Sequence, residues 1–205
     1  MNKFKISPNS AFIPLYDVRS LIYSSDDNLL FNNRPYPTDI GHYLFCYGSN
    51  SLSQLKKRVE NNNLTNKKAY LPGYIRIFAG YSKKWNGGTA SILESSIDHY
   101  VKGSLVYLKE SELKKLDKFE GANKNSNPFS KKDNIYRRCY VDVKDEKNNN
   151  IHCLVYIRNN HNWIEYPSNS YLEALKKNMK TYWNELDTSN QINIYDKDLE
   201  LKGTF

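Results

Sequence analysis

Apolar residues in the first forty positions come in short pieces broken by Pro8, Pro14, Pro35 and Pro37. That pattern predicts extended segments and turns, because proline removes a backbone donor and fixes φ. We read residues 1–42 as an N-terminal arm packed on the domain that follows. His42–Tyr47 is the first sustained apolar run and predicts a buried strand, followed at once by the turn signal Gly48-Ser49-Asn50. Ser51 with Gln54 three residues on is a capping box, and Leu52, Leu55 and Val59 share one face, so a helix should run to about Asn61.

The period then changes. Gly73–Ala79, Thr89–Leu93 and His99–Tyr107 are rich in β-branched and aromatic residues and predict strands, with Trp85-Asn86-Gly87-Gly88 as a turn. Ser111 can cap a short helix carrying Leu113, Leu116 and Phe119, which stops at Glu120-Gly121 because glycine suits the left-handed residue after a helix. Tyr136–Val143 and Ile151–Arg158 predict a hairpin around Asn148–Asn150, and Tyr171–Leu186 an amphipathic helix behind Pro167-Ser168. Residues 43–186 make one domain and 187–205 a polar C-terminal tail. Strands without regular helical crossovers predict an α+β fold with a mixed, largely antiparallel sheet curled toward a small barrel and flanked by helices.

At 205 residues the chain fits one domain. Aromatic residues are 14%, with 17 Tyr against 8 Phe, so much of the apolar surface carries a hydroxyl. The 26 Asn gather in clusters such as Asn61–Asn63, which are loops. No window approaches the roughly 18 consecutive apolar residues of a membrane span, and the start lacks an apolar leader, so the expected location is cytoplasmic. Cys46, Cys139 and Cys153 contain no C-x-x-C pair, and the four His have no ligand spacing. Free buried thiols and no metal are expected. The net charge of +8 comes from scattered pairs such as Lys83-Lys84 and Lys131-Lys132, which argues against specific nucleic-acid binding.

Two places could carry chemistry. The strand-turn-helix Phe45-Cys46-Tyr47-Gly48-Ser49-Asn50 exposes free N–H groups at a helix start, suited to an anion such as a carboxylate; taken by itself it reads first as an ordinary capped turn. Glu120 stands at a helix C-terminus, where the dipole and burial beside Phe119 would raise its pKa and let it exchange protons near neutral pH. The alternative is a solvated glutamate beside a glycine stop.

The motifs occur together in order: Tyr47-Gly48-Ser49-Asn50, Trp85-Asn86-Gly87-Gly88-Thr89-Ala90, Gly103–Tyr107, Leu116-Asp117 then Glu120-Gly121, Tyr136-Arg137, and Pro167-Ser168 with Tyr171. In this combination the chain resembles the γ-glutamylcyclotransferase family over about residues 43–180. The resemblance implies a small mixed barrel and a cofactor-independent enzyme that converts a γ-glutamyl amino acid into 5-oxoproline and the free amino acid. It implies Glu120 as the catalytic acid/base and Leu44–Asn50 (Leu44, Phe45, Cys46, Tyr47, Gly48, Ser49, Asn50) as the substrate-binding loop. Tyr171 then contacts substrate and Tyr136 lines the pocket; to Asp117, three residues before Glu120, we assign a structural role. The partner is a small γ-glutamyl peptide or amino acid, and the protein a monomer or homodimer. Two alternatives stand beside this: a related cyclotransferase acting on glutathione or γ-glutamylamines, and a non-catalytic basic binding module on the same fold. Residues 122–135 are longer than the family pattern and form either a lid or a surface loop.

Overall fold

Alternation along β1 (Gly41–Cys46) sends Phe45 to one side and Leu44 and Cys46 to the other, and all three are buried because β1 lies between two apolar layers. The computed structural model describes residues 39–124, 126–159, 165–183, 193–195 and 201–204. Most of the 1–42 arm lies outside them, and Gly41 and His42 already belong to β1.

Strand β1 pairs antiparallel with β5 (Tyr100–Lys109), β5 with β2 (Asn66–Pro72), β2 with β6 (Tyr136–Asp145) and β6 with β7 (Asn150–Arg158). β7 returns to β1 in parallel and closes the barrel, the mixed, largely antiparallel α+β architecture that the strand pattern predicts. A separate hairpin joins β3 (Tyr74–Ser82) to β4 (Gly87–Glu94), and β8 (Asn193–Tyr195) pairs with β9 (Leu201–Thr204) inside the tail read only as polar. The sequence reading missed β2, whose first residues Asn66-Lys67-Lys68 are too polar to stand out.

One core cluster gathers alternate residues of the barrel strands, Phe45, Leu71, Leu105, Val143 and Val155, with Phe78 and Ile92 of the hairpin and Leu175 of α3 (Asn169–Tyr182). In the other, α1 (Leu52–Val59) and α2 (Glu110–Glu120) set Leu55, Val59, Leu113 and Leu116 on Leu44, Val106 and Leu154. A fully buried leucine or valine contributes about 1.5–3 kcal/mol, so these four hold two helices too short to be stable alone. Beneath them Asp117, only 4% exposed, accepts from Arg138 Nε at 2.9 Å and Nη2 at 2.7 Å and from the Tyr156 hydroxyl at 2.7 Å. Glu110 takes the remaining charge of Arg138.

The helix ends differ from the expected caps. Ser51 does cap α1, accepting the Gln54 N–H at 3.1 Å, but Gln54 Oε1 makes no return bond, so only half of the capping box forms. The α2 N-cap is Lys109, whose N–H is taken by Glu112; Ser111 instead donates its N–H to Asp39 at 2.8 Å. Phe119 points outward, 58% exposed. The β3–β4 turn is at 83–86, and Gly87 and Gly88 already belong to β4. A Cβ on Gly88 would lie 2.0 Å from the Glu165 carbonyl oxygen, so the 165–168 segment can cross β4 only over glycine. α3 starts after its Ser168 cap and is described to Trp183, so the expected end at Leu186 lies outside the described residues. Within 122–135, Asn134 is buried and its amide donates to the Asn127 and Ser130 carbonyls at 2.9 and 3.1 Å. Asn159 adds a bond to the Asn134 carbonyl at 2.9 Å, which ties this part of the segment to the end of β7. Among the described residues no helix is long and apolar enough to cross a membrane.

Candidate active site

Where β1 ends, Tyr47–Asn50 turn the chain into α1, and the side chain of Asn50 reaches across to the end of α2. Asn50 Nδ2 donates to Glu120 Oε1 at 3.2 Å. Arg58, two turns into α1, donates through Nη1 to Asn50 Oδ1 at 2.7 Å and to Glu120 Oε1 at 2.9 Å. Glu120 is the last residue of α2, fixed there by Gly121 in the left-handed region (φ 61°) with its N–H on the Asp117 carbonyl. The Glu120 side chain is 12% exposed. Burial pushes its pKa above the ordinary carboxylate value, and Arg58 and Asn50 pull it back only in part. Phe119, expected to bury Glu120, instead lies under the Arg58 guanidinium, 5.1 Å from ring centre to Cζ.

The opposite wall is built by hydroxyls on β4. Tyr171, from the first turn of α3, accepts the Ala90 N–H at 2.9 Å, and its ring packs edge-on against Trp85. Tyr136, at the start of β6, donates to the Ala90 carbonyl at 3.0 Å. Its single proton is then committed, so Thr89 donates to the Tyr136 oxygen at 2.8 Å and accepts from Arg158 Nη1 at 3.2 Å. Burial raises the pKa of both tyrosines, keeping them neutral hydrogen-bonding groups.

The loop itself is held from behind. Arg76, buried, donates Nε to the Tyr47 carbonyl at 3.0 Å and Nη2 to the Lys102 carbonyl at 2.9 Å, and burial pulls its pKa down to about 10. Asn178 Nδ2 donates to the Gly48 carbonyl at 3.2 Å. With both carbonyls fixed, the N–H groups of Gly48, Ser49 and Asn50 have no backbone acceptor among the described residues. Preorganised donors of this kind suit an anion or a developing oxyanion.

These walls enclose a cavity of about 400 Å³. Phe45, Cys46, Tyr47, Gly48, Ser49, Asn50, Glu120, Tyr136 and Tyr171 all border it. Leu44 does not: it is 1% exposed in the core under α1 and α2, because alternation along β1 turns it away from Phe45. Cys46 borders the cavity as packing, since burial pushes its thiol pKa up and leaves no thiolate nucleophile. The sequence reading missed Arg58 and Arg158. Arg58 was hidden in the run Lys56-Lys57-Arg58, yet it alone of the three is adjacent in sequence to the buried Val59 and three residues from Leu55, which places it at the edge of the apolar face. Arg158 ends β7 directly after the apolar run Cys153–Ile157 and gives no signal of its own.

The arrangement joins a rigid donor loop for an anion to a buried carboxylate of raised pKa that can exchange a proton. The family model described as gamma-glutamyl cyclotransferase, AIG2-like, matches residues 44–178. The chain belongs to this family. The match contains every described residue that borders the cavity. A solved structure named gamma-glutamyl cyclotransferase is 24% identical, with a TM-score of 0.61, covering 72% of this chain and 83% of that one. Uncharacterized protein loc79017 from Homo sapiens is also 24% identical at a TM-score of 0.61, over 71% of this chain and 82% of its own. YkqA from Bacillus subtilis is 22% identical at a TM-score of 0.51, over 69% of this chain and 49% of its own. These structures share the barrel of this AIG2-like chain. No curated protein matches the sequence.

Proposed function

We propose that the protein is a cytoplasmic, cofactor-independent γ-glutamylcyclotransferase that converts γ-glutamyl amino acids into 5-oxoproline and the free amino acid, with Glu120 as general acid/base. The observation that carries this reading is the Glu120 carboxylate on the cavity wall, held by Asn50 of the donor loop and by Arg58. Glu120 takes a proton from the substrate's α-ammonium, and the amine so formed attacks the γ-carbonyl of the same molecule. A C–N bond closes the five-membered lactam, the original amide C–N bond breaks, and Glu120 returns the proton to the leaving nitrogen. The ammonium loses two protons in all and the leaving amine gains two, so no water or cofactor is consumed. Because the nucleophile is part of the substrate, the protein's contribution is to hold the chain folded and to move protons. The N–H groups of Gly48, Ser49 and Asn50 hold the glutamyl carboxylate or the oxyanion, and Tyr136 and Tyr171 shape the pocket around the head group.

Incubation of the pure protein with γ-glutamyl-alanine and with glutathione, followed by measurement of 5-oxoproline, tests this. Release from γ-glutamyl-alanine that Glu120→Gln abolishes supports the reading. Release from glutathione alone moves it to the glutathione-acting alternative, and no release from either moves it to a binding module.

A further inference from the structure

Among the described residues that border it, the cavity holds more positive charge than its one carboxylate, Glu120, balances. Arg58, Lys83, Lys84 and Arg158 border it against Glu120, and Arg58 is already paired with Glu120. Among the described residues no carboxylate pairs with Arg158, Lys83 or Lys84.

Arg158 is the more confined of these groups. It ends β7 directly across from Tyr136, and its guanidinium lies 5.5 Å from the centre of the Tyr136 ring. Nη1 is used on Thr89, while Nε is buried without a hydrogen-bond partner. The guanidinium rests against Gly80, where a Cβ would fall 2.2 Å from Nη2. A partly desolvated guanidinium without a counter-charge is unfavourable, and a carboxylate ligand would relieve it. Lys83 and Lys84 are exposed on the turn between β3 and β4, with Lys84 over the Trp85 ring.

A γ-glutamyl amino acid carries two carboxylates; with the glutamyl one on the donor-loop N–H groups, one of the two groups the proposed reaction allows there, the other is left without a partner. We infer that Arg158 binds the second, the carboxylate on the leaving amine, and that Lys83 and Lys84 favour further negative charge there. The site then selects γ-glutamyl compounds whose leaving amine is an amino acid, acidic ones best, over amidated ones. This inference rests on the cyclotransferase reading.

The test is kcat/KM for 5-oxoproline release from γ-glutamyl-alaninamide, γ-glutamyl-alanine and γ-glutamyl-glutamate. The wild type should prefer alanine to alaninamide by about tenfold or more, the value of one charge-assisted bond. Glutamate should gain about two- to fivefold over alanine at low salt, an advantage that added salt removes. Arg158→Gln should bring the alanine-to-alaninamide ratio near one and Arg158→Lys restore part of it, each variant being checked for folding by circular dichroism. The double change Lys83→Gln with Lys84→Gln should erase only the glutamate advantage. A wild type indifferent to the carboxylate overturns the inference while leaving the cyclotransferase reading intact, as does an Arg158→Gln protein slowed equally on alanine and alaninamide. No 5-oxoproline from any of the three overturns both.

Discussion

Arg58 and Glu120, 62 positions apart in the chain, meet in a 2.9 Å ion pair that ties the last turn of α1 to the last residue of α2. Because the same Arg58 nitrogen holds Asn50, one guanidinium links the donor loop to the carboxylate. The pair also sets an electrostatic contest. Burial favours protonated Glu120 and Arg58 favours the carboxylate, and burial prevails.

Glu120→Gln keeps the shape and one acceptor for Arg58 and Asn50 but cannot cycle a proton. Turnover should fall by at least about 10²- to 10⁴-fold, the usual contribution of general acid–base catalysis. Stability should not fall. A carboxylate whose folded pKa is raised adds stability below its unfolded pKa and loses that contribution as pH rises through the folded value. At neutral pH glutamine therefore removes a cost. Thermal melts at pH 7 should show the variant equal to or above wild type, and a folded variant with near-wild-type turnover would remove Glu120 from the mechanism.

The pH profile follows from the same direction. As a base Glu120 must be ionised, so the acid limb of kcat/KM should lie above the ordinary glutamate value of 4.5. Arg58→Gln removes the main influence that lowers this pKa, and the limb should move to higher pH. Rate profiles of the two proteins measured on γ-glutamyl-alanine decide the point. A limb that stays in place would mean that another group controls it.

Local patterns made much of this fold legible. The run His42–Tyr47, the cap at Ser51 and the stop at Gly121 each follow from a few neighbouring residues, and each is found. β2 was hidden because its burial alternates around polar Asn66, Lys67 and Lys68, whose neighbours across the barrel come from far along the chain. The same applies to Ser111, which does not cap α2 because its N–H is taken by Asp39, 72 positions away. At the site, Glu120 and the loop lie in recognisable motifs. Arg58 and Arg158 do not, since their roles arise only when separate elements close on one cavity.

Asp117 should behave unlike Glu120, three residues away on the same helix. Its carboxylate takes two bonds from Arg138 and one from Tyr156 and faces the core. Asp117→Asn leaves the Arg138 charge to Glu110 alone, and losing one member of a buried pair costs about 3 kcal/mol, the lower end of the usual range. For a chain of this size that lowers Tm by about 6–12 °C. Turnover below the melting range should stay close to wild type. A large loss of kcat in a fully folded protein would give Asp117 a role beyond holding the fold.

Gly48 tests the loop itself. A Cβ there would lie 3.4 Å from Ala90 Cβ and 3.5 Å from the Tyr171 hydroxyl, ordinary contact distances, so Gly48→Ala should fold and retain most activity. Gly48→Val adds two γ-carbons in that direction, where they must either push Tyr171 away or occupy the space beside the loop N–H groups. Displacing a bound substrate by about 1 Å can cost 10²-fold in rate, so valine should be far more damaging than alanine. The loss should be seen in kcat/KM for γ-glutamyl-alanine, with circular dichroism unchanged because α1 keeps its Ser51 cap. Equal activity of the valine and alanine proteins would place the glutamyl head group away from this loop.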